Sequence, residues 1–322
     1  MATPWPTVPF GSLRLWDPGV IWPLLEPRKG QWNFTTLDNW VNLAQVHNVE
    51  ILMTLGQSPT WASARPADSS PYSPRAPAEP ANIEGWKTYV QTVATRYKGR
   101  IHYYEIWNEP NLTEFYTGTV GEMVTLAQAA YTIHKEVDPT IQVVSPSATT
   151  SAGLSWLDQH FGAGGGTYAD IIGYHFYVTP GPPEDISTLI TQVRQVMNNH
   201  GQQGKPLWNT EVGWYIQNNQ DVVVGSGVFI IVLTETQAME YAARTYLIDW
   251  VGGVDRVFWY AWDDGYMGLT DADHKTVKPL GTAYGILYSW LNGASVSAIT
   301  QDSQGIWIAS IKRGTTYTGQ IL

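Results

Sequence analysis

The feature that most constrains the fold is an alternation of short β-rich runs with longer amphipathic runs. The β-rich runs are 12–17, 49–56, 101–110, 141–148, 170–177, 206–214 and 255–264. The runs with helical periodicity are 35–48, 82–99, 119–137, 186–201, 235–253 and 282–293, and several end in Gly or an Asn-rich turn, as helices commonly do. Strands that alternate with amphipathic helices predict an α/β protein with a parallel sheet, either closed or open.

A closed barrel explains the positions of the polar residues better than an open sheet. Polar residues stand at the carboxyl ends of the predicted strands, namely Asp17, Gln57, Glu109, Ser147, Tyr177, Glu211 and Asp263. A (β/α)8 barrel builds its active site at that edge, and no G-x-G-x-x-G follows the first strand to indicate an open dinucleotide-binding sheet. The sequence therefore predicts a TIM barrel over residues 1–293 and a short β-rich segment over residues 294–322.

Composition narrows the class of partner. The formal net charge of −10 over 322 residues argues against nucleic acid and against an anionic membrane surface. The absence of cysteine excludes disulfides and thiolate catalysis, and no H-E-x-x-H motif is present, so we expect neither a metal nor a cofactor. No apolar run reaches the ~18 residues of a membrane span. The sequence predicts neither the localisation nor the oligomeric state. One option for the localisation is secretion, with an export signal that is absent from this sequence.

Three connections are predicted to surround the site. Residues 58–82 carry six prolines and should form a stiff wall rather than a helix. Residues 161–168, FGAGGGTY, are predicted to be a flexible connection, and residues 215–233 a hairpin or lid.

Two glutamates occupy comparable places at the ends of separate strands. YYEIWNEPNL ends a strand with Asn108-Glu109-Pro110, and WNTEVGW carries Glu211 before a glycine. Strand alternation predicts that Tyr103, Glu105, Trp107 and Glu109 share one face. A lone glutamate at a strand end is ordinarily solvated or ion-paired, whereas two on separate barrel strands suffice for glycoside hydrolysis, one protonated and one ionised.

The two motifs resemble the acid/base and nucleophile strands of the clan A glycoside hydrolases, which are retaining (β/α)8 enzymes. The opening FGSLRLWDPGVIWPLLEP and the later LMTLGQSPTWAS resemble family 39 and its relatives, among them β-xylosidases and exopolysaccharide hydrolases. The similarity covers about residues 10 to 292 and implies an oligosaccharide or polysaccharide substrate.

The resemblance implies a role for each matching residue. Glu109 would be the general acid/base and Glu211 the nucleophile, with carboxyl groups about 5 to 5.5 Å apart. Asn108 would bind the sugar 2-hydroxyl. Tyr177 of the H-x-Y motif would hydrogen-bond Glu211, and His175 would lie near the acid/base. Arg14 would hold Glu211 ionised, although an interior carboxylate at Glu105 is a competing partner for this arginine.

Aromatic side chains are predicted to line the cleft. The chain has 16 tryptophans, an excess that fits either a large core or a cleft in which indole faces stack on sugar rings. Trp262 lies on the strand face that is predicted to form the floor of the sugar site. Alignment with the family favours Trp259 for this position, so both residues remain candidates. The further candidates for contact with substrate are Trp16, Trp61 and Gln57.

The chain departs from the family pattern at its start, because SLRLWD corresponds to the second barrel strand. Three explanations compete for the missing first strand. The chain is truncated and leaves an open seam, or residues 1–10 lie across the seam, or GIWIASI (305–311) fills the vacant position in a permuted barrel.

Three functions fit these residues. The first is a retaining β-glycoside hydrolase that uses Glu109 and Glu211. The second is a carbohydrate-binding protein with a degenerate site, and the third is a transglycosidase that uses the same residues on a different acceptor. Which sugar is bound, and whether chains are cut at their ends or internally, are not determined by the motifs.

Overall fold

The structure is a computed structural model that describes residues 4–68, 75–217, 231–304, 306–314 and 317–321. It comprises two compact units. The first contains residues 11–175 and 192–210, and the second contains the described parts of 1–10, 176–191 and 211–322.

The helices are α1 (Trp22–Leu25), α2 (Thr35–Val46), α3 (Ile83–Arg96), α4 (Val120–Val137), α5 (Gly153–Gly162), α6 (Asp185–Asn199), α7 (Glu235–Val251) and α8 (Pro279–Leu291). The strands are β1 (Ser12–Leu15), β2 (Glu50–Leu55), β3 (Ser58–Pro59), β4 (Arg75–Ala76), β5 (Tyr103–Ile106), β6 (Gln142–Val144), β7 (Ala148–Thr149), β8 (Ile172–His175), β9 (Leu207–Val212), β10 (Tyr215–Ile216), β11 (Val232–Leu233), β12 (Arg256–Trp259), β13 (Ser295–Gln301), β14 (Trp307–Arg313) and β15 (Tyr317–Ile321). Each predicted β-rich run contains a strand, and each predicted helical run overlaps a helix, although α6 and α8 begin before the runs that predict them. The helices α1 and α5 were not predicted.

The first unit is built on parallel strands. β1, β2, β5 and β6 form one sheet in that order, and β7 pairs in parallel with β8. Single parallel bridges at Asn108–Ser147 and Val144–Ile171 extend the pairing from β5 through β6 to the residues beside β7 and β8. The strand side chains are largely buried, as expected for a parallel sheet covered by helices. The prediction of an α/β protein with parallel strands is confirmed.

Helix starts follow local sequence signals. The Asn82 side chain accepts a hydrogen bond from the backbone N–H of Glu84 at the start of α3. Thr119 and Glu122 form a capping box at the start of α4, where each side chain binds the other residue's backbone N–H.

The second unit ends in an antiparallel sheet of three strands, β13, β14 and β15. β14 contains most of GIWIASI and pairs with β13 on one side and β15 on the other. It is therefore not the missing barrel strand, and the permuted arrangement is wrong. Among the described residues, β1 is an edge strand of its sheet, and residues 4–11 contain no strand. Val8 and Pro9 instead lie beside Gly285 of α8.

The three connections differ from their predictions to different degrees. Residues 161–168 are not a flexible connection. Their first residues end α5 and their last four form a 3₁₀-helix, Gly165–Tyr168. A Cβ on Gly165 would lie 2.3 Å from the His160 ring, and one on Gly166 would lie 2.7 Å from Gln202, so these glycines serve close packing.

In the connection 58–82, β3 and β4 pair antiparallel, and Arg65 binds both carboxylate oxygens of Glu79 at 2.8 and 2.7 Å. Residues 69–74 of this predicted wall lie outside the described residues. The centre of 215–233, the predicted hairpin or lid, also lies outside them. Its described ends, β10 and β11, pair in parallel, whereas the two arms of a hairpin would pair antiparallel. No helix in the described part of the chain is long and apolar enough to cross a bilayer.

Candidate active site

The strand that carries Glu109 ends earlier than its sequence pattern indicates. β5 stops at Ile106, and the backbone then takes positive φ at Trp107 (66°) and Glu109 (41°), which is unusual for residues other than glycine. The predicted alternation through Glu109 is therefore wrong. The Trp107 indole is fully buried, its Nε1 donates to the Phe115 carbonyl at 2.8 Å, and its ring lies 6.0 Å from that of Trp86.

The turn that presents Glu109 is held by the backbone of Ser147. The Glu109 N–H donates to the Ser147 carbonyl at 3.0 Å, and Asn108 forms a parallel bridge with the same residue. A non-glycine residue in the left-handed region costs about 1 kcal/mol or more unless its surroundings fix it. Ser147 thus fixes a backbone conformation that neither strand nor helix propensity favours.

Glu109 lies against a histidine at the end of strand β8. The Nδ1 atom of His175 is 2.9 Å from Oε1 of Glu109. His175 is fully buried, and Glu109 retains 7% of its surface exposed to solvent. The structure thus brings together two residues that the sequence analysis expected to be neighbours.

Asn108 is oriented by an arginine from β1. The Nη2 atom of Arg14 donates to Oδ1 of Asn108 at 2.7 Å. Because a guanidinium group can only donate, the amide oxygen must face Arg14, and the amide NH₂ group of Asn108 faces away from it. The donor side of Asn108 is therefore fixed.

Arg14 also makes a buried ion pair with Glu105, the competing partner considered from the sequence. The Arg14 Nη2 to Glu105 Oε2 distance is 2.7 Å, with 7% and 0% of the two side chains exposed. Thr54 donates to Oε2 and Ser147 donates to Oε1 of the same carboxylate, each at 2.6 Å. The prediction that Arg14 also holds Glu211 stays a prediction.

These donors determine the charge of Glu105. Burial by itself raises the pKa of its carboxyl, but the Arg14 guanidinium, with help from the His175 ring and the two hydroxyl donors, outweighs burial. The pKa of Glu105 therefore lies below its ordinary value, and the residue is an anion at neutral pH.

In the second unit, Glu211 receives a hydrogen bond from the other member of the H-x-Y motif. The hydroxyl of Tyr177 donates to Oε1 of Glu211 at 2.9 Å. Gly213 follows closely, and a Cβ there would lie 2.5 Å from the carbonyl oxygen of Tyr260. Only glycine permits this approach of the chain after β9 to the chain after β12.

The candidate cleft residues are placed in different surroundings. Gln57 is fully buried, and its Nε2 donates to the carbonyls of Glu114 and Phe115 at 3.2 and 2.7 Å, so it anchors a loop. Trp16 is 4% exposed and packs with Ile21 and Phe115 in a hydrophobic cluster. Both residues occupy positions typical of structural support rather than of an open cleft wall.

The three remaining tryptophans among the candidate cleft residues, Trp61, Trp259 and Trp262, are partly buried. Trp61 packs edge-on against Trp22 at 6.0 Å and donates from Nε1 to the Glu26 carbonyl. Trp259 lies 5.9 Å from the buried ring of Trp214. Trp262 is held through its backbone, whose carbonyl accepts hydrogen bonds from Thr270.

Sequence reasoning identified the glutamates but missed most of the hydroxyl groups around Glu105. Thr210 donates to the Oγ of Ser147 at 2.8 Å, which extends the network by one residue. The only local signal was the position of Ser147 at a strand end and of Thr210 beside Glu211.

The comparisons with known proteins now decide the family. Residues 76–284, about two thirds of the chain, match the family described as Glycosyl hydrolase catalytic core. The chain belongs to this family. The predicted class, a glycoside hydrolase resembling family 39, is thereby confirmed at the level of the family.

Three relatives illustrate the similarity. The chain is 23% identical over 217 residues to endo-1,4-beta-xylanase C of Paenibacillus barcinonensis. The aligned region covers 58% of this chain and 19% of the xylanase. A family 39 glycoside hydrolase from Bacteroides cellulosilyticus superimposes with a TM-score of 0.72 at 19% identity, over 95% of this chain and 63% of that one. A monomeric beta-xylosidase from Caulobacter crescentus gives 0.68 at 15% identity, over 94% and 66%.

The two structural relatives share the fold of this chain. The chain spans about a fifth of the length of the curated xylanase and less than two thirds of the family 39 structure.

Proposed function

We propose that the chain is the catalytic core of a retaining β-glycoside hydrolase built on a (β/α)8 barrel. Glu109 acts as the general acid/base and Glu211 as the nucleophile. The observation that carries the proposal is the contrast between the hydrogen-bond partners of the two carboxylates.

Glu211 accepts a hydrogen bond from the Tyr177 phenol, and a donor of this kind favours the ionised carboxylate that a nucleophile requires. Glu109 faces an imidazole nitrogen, which donates in one tautomer and accepts in the other. A general acid/base must give up a proton and later regain one. It benefits from a partner that can hydrogen-bond both its protonated and its ionised form.

The reaction then follows the two-step course of retaining enzymes. Glu109 protonates the glycosidic oxygen as the Glu211 carboxylate attacks the anomeric carbon, so that the aglycone leaves and a glycosyl ester forms on Glu211. Glu109, now ionised, removes a proton from water, and the resulting oxygen nucleophile attacks the anomeric carbon and releases Glu211. The NH₂ group of Asn108, held by Arg14, is positioned to donate to the sugar 2-hydroxyl during both steps.

We further propose β-linked xylose as the first substrate to test, because the similar proteins include a xylanase and a beta-xylosidase. The contact of Trp259 with buried Trp214 favours Trp262 as the floor of the sugar site. Trp61 remains the candidate for an outer wall.

The test is hydrolysis of 4-nitrophenyl β-D-xyloside. The comparison substrates are the corresponding β-glucoside, β-galactoside, β-mannoside and α-L-arabinopyranoside, and xylan tests for internal cleavage. We expect one substrate to be turned over with retention of the anomeric configuration, as followed by NMR of the first product. Release of the inverted anomer would contradict the mechanism.

Azide rescue separates the two roles. Glu109→Ala with azide should regain turnover of the aryl glycoside and form the β-glycosyl azide, because azide replaces water in the second step. Glu211→Ala with azide should form the α-glycosyl azide, because azide replaces the nucleophile. Glu114→Gln, a change at an exposed glutamate, is the matched control and should retain the parent rate. Exchange of the two azide anomers between the variants would overturn the assignment.

A further inference from the structure

Glu105 is a buried charge that the proposed reaction does not use. It is fully buried, it is ionised, and its carboxylate takes hydrogen bonds from Arg14, Thr54 and Ser147. A carboxylate placed in the interior loses its hydration, and it is retained at that cost only when the surrounding donors replace water. Two of these partners are themselves connected to the catalytic turn, Arg14 to Asn108 and Ser147 to Glu109.

The first connection runs through Arg14. Its Nε and Nη2 both reach Oε2 of Glu105, at 2.8 and 2.7 Å, and the same Nη2 donates to Oδ1 of Asn108. The charge of Glu105 thus holds the flexible Arg14 side chain, and the hydrogen bond from Arg14 to Asn108 determines which way the Asn108 amide faces.

The second connection runs through Ser147. Its hydroxyl donates to Oε1 of Glu105, while its carbonyl accepts the backbone N–H of Glu109. Thr210 donates to the Ser147 oxygen, which leaves the Ser147 proton for Glu105. A Cβ on Gly173 would lie 2.2 Å from this oxygen, so the glycine at that position provides the space that the serine occupies.

We infer that Glu105 is a positioning residue, which holds the Asn108 amide and the Glu109 backbone in the orientation needed at the sugar 2-hydroxyl. Its carboxylate acts through Arg14 on the side chain of Asn108 and through Ser147 on the turn. The inference deepens the proposed glycosidase function and rests on it for its kinetic consequence. Glu105 itself touches no substrate.

The substitution Glu105→Gln tests this role with little change in shape. The glutamine oxygen can accept from Arg14 and Thr54, and the Ser147 hydroxyl can rotate to accept from the new NH₂ group. The negative charge is lost, and Arg14 becomes a buried cation without a counter-ion at Glu105. Arg14 is then expected to leave its position, which frees the Asn108 amide.

The readout is the preference for a substrate that carries the 2-hydroxyl. The kcat/KM ratio of 4-nitrophenyl β-D-xyloside to its 2-deoxy analogue should fall about tenfold or more in Glu105→Gln, because the contact to Asn108 is made mainly in the transition state. The matched control is Glu26→Gln. Glu26 is also buried, at 2% exposed, but it accepts from Trp22 Nε1 and the Gly30 N–H. It should lose stability and keep the parent ratio.

The two variants together separate the outcomes. A purely structural Glu105 would lower the melting temperature and leave the 2-hydroxyl to 2-deoxy ratio unchanged, and that result would overturn the inference. If the parent chain hydrolyses neither xyloside, the proposed substrate fails. The inference is then tested by crystal structures of the parent and Glu105→Gln. An Asn108 amide still hydrogen-bonded to Arg14 in the variant would refute it, and a rotated or released amide would support it.

Discussion

Two histidines buried in the first unit make the stability of the chain depend on pH. His134 on α4 stacks on Tyr104 at 4.3 Å, and His160 on α5 stacks on Trp156 at 5.0 Å. Burial lowers the pKa of His134 to about 3, a shift that the Ala130 carbonyl partly opposes, and it lowers the pKa of His160 to about 4. Both side chains are therefore neutral in the folded chain over most of the acidic range.

The sign follows from linkage. An unfolded histidine titrates near its ordinary pKa of ~6.5, so below that pH the unfolded chain binds protons that the folded chain excludes. Stability is complete above about pH 6.5 and falls as the pH decreases towards the folded pKa values. Each histidine should remove about 1 kcal/mol from the free energy of unfolding at pH 5.5 and about 3 kcal/mol at pH 4.5.

The perturbation that isolates one histidine is His134→Phe, which keeps a ring against Tyr104 and removes the titrating nitrogen atoms. The free energy of unfolding would be measured by urea denaturation of parent and variant at pH 7.5, 5.5 and 4.5. Relative to their difference at pH 7.5, the variant should gain about 3 kcal/mol over the parent at pH 4.5.

The control is His102→Gln, which removes an exposed imidazole instead of a buried one. Parallel pH profiles for the parent and His134→Phe would show that burial of this imidazole does not drive the acid sensitivity, and the reasoning would be wrong.

Two further predictions follow from single contacts. Tyr177→Phe removes the donor to Glu211 and should lower kcat on the aryl glycoside about tenfold, the equivalent of one hydrogen bond to a charged group; an unchanged kcat would mean that the contact does not serve the reaction. Gly173→Ala introduces a Cβ 2.2 Å from Ser147 Oγ and should cost about 1–3 kcal/mol or more in urea denaturation. Gly204→Ala, whose Cβ meets nothing within 4 Å, is the control for a general effect of glycine replacement.

Local patterns predicted the elements of the fold well. The β-rich runs and the amphipathic runs predicted the strands and the major helices, because periodicity reports which face of an element is buried. The short helix α1 and the helix α5 were missed. The first contains only four residues, and the second begins within a run rich in small residues.

The connections were predicted less well because their conformation depends on distant partners. The glycines of 161–168 favour flexibility by composition, yet Gly165 and Gly166 make room for His160 and Gln202. The composition of a loop reports which backbone angles are accessible, but it does not report which side chains will occupy the space.

The sequence by itself determined that this chain has parallel strands alternating with helices, and that two glutamates stand at strand ends in motifs typical of glycoside hydrolases. Those conclusions rest on local spacing and short motifs. Tertiary structure alone decided that β5 ends before Glu109, that Gln57 is buried, and that the hydroxyls of Thr54 and Ser147 donate to the carboxylate of Glu105. The physical reason is that a buried charge can be stabilised by any donor the fold brings within hydrogen-bond distance, and the sequence position of that donor carries no signal of the contact.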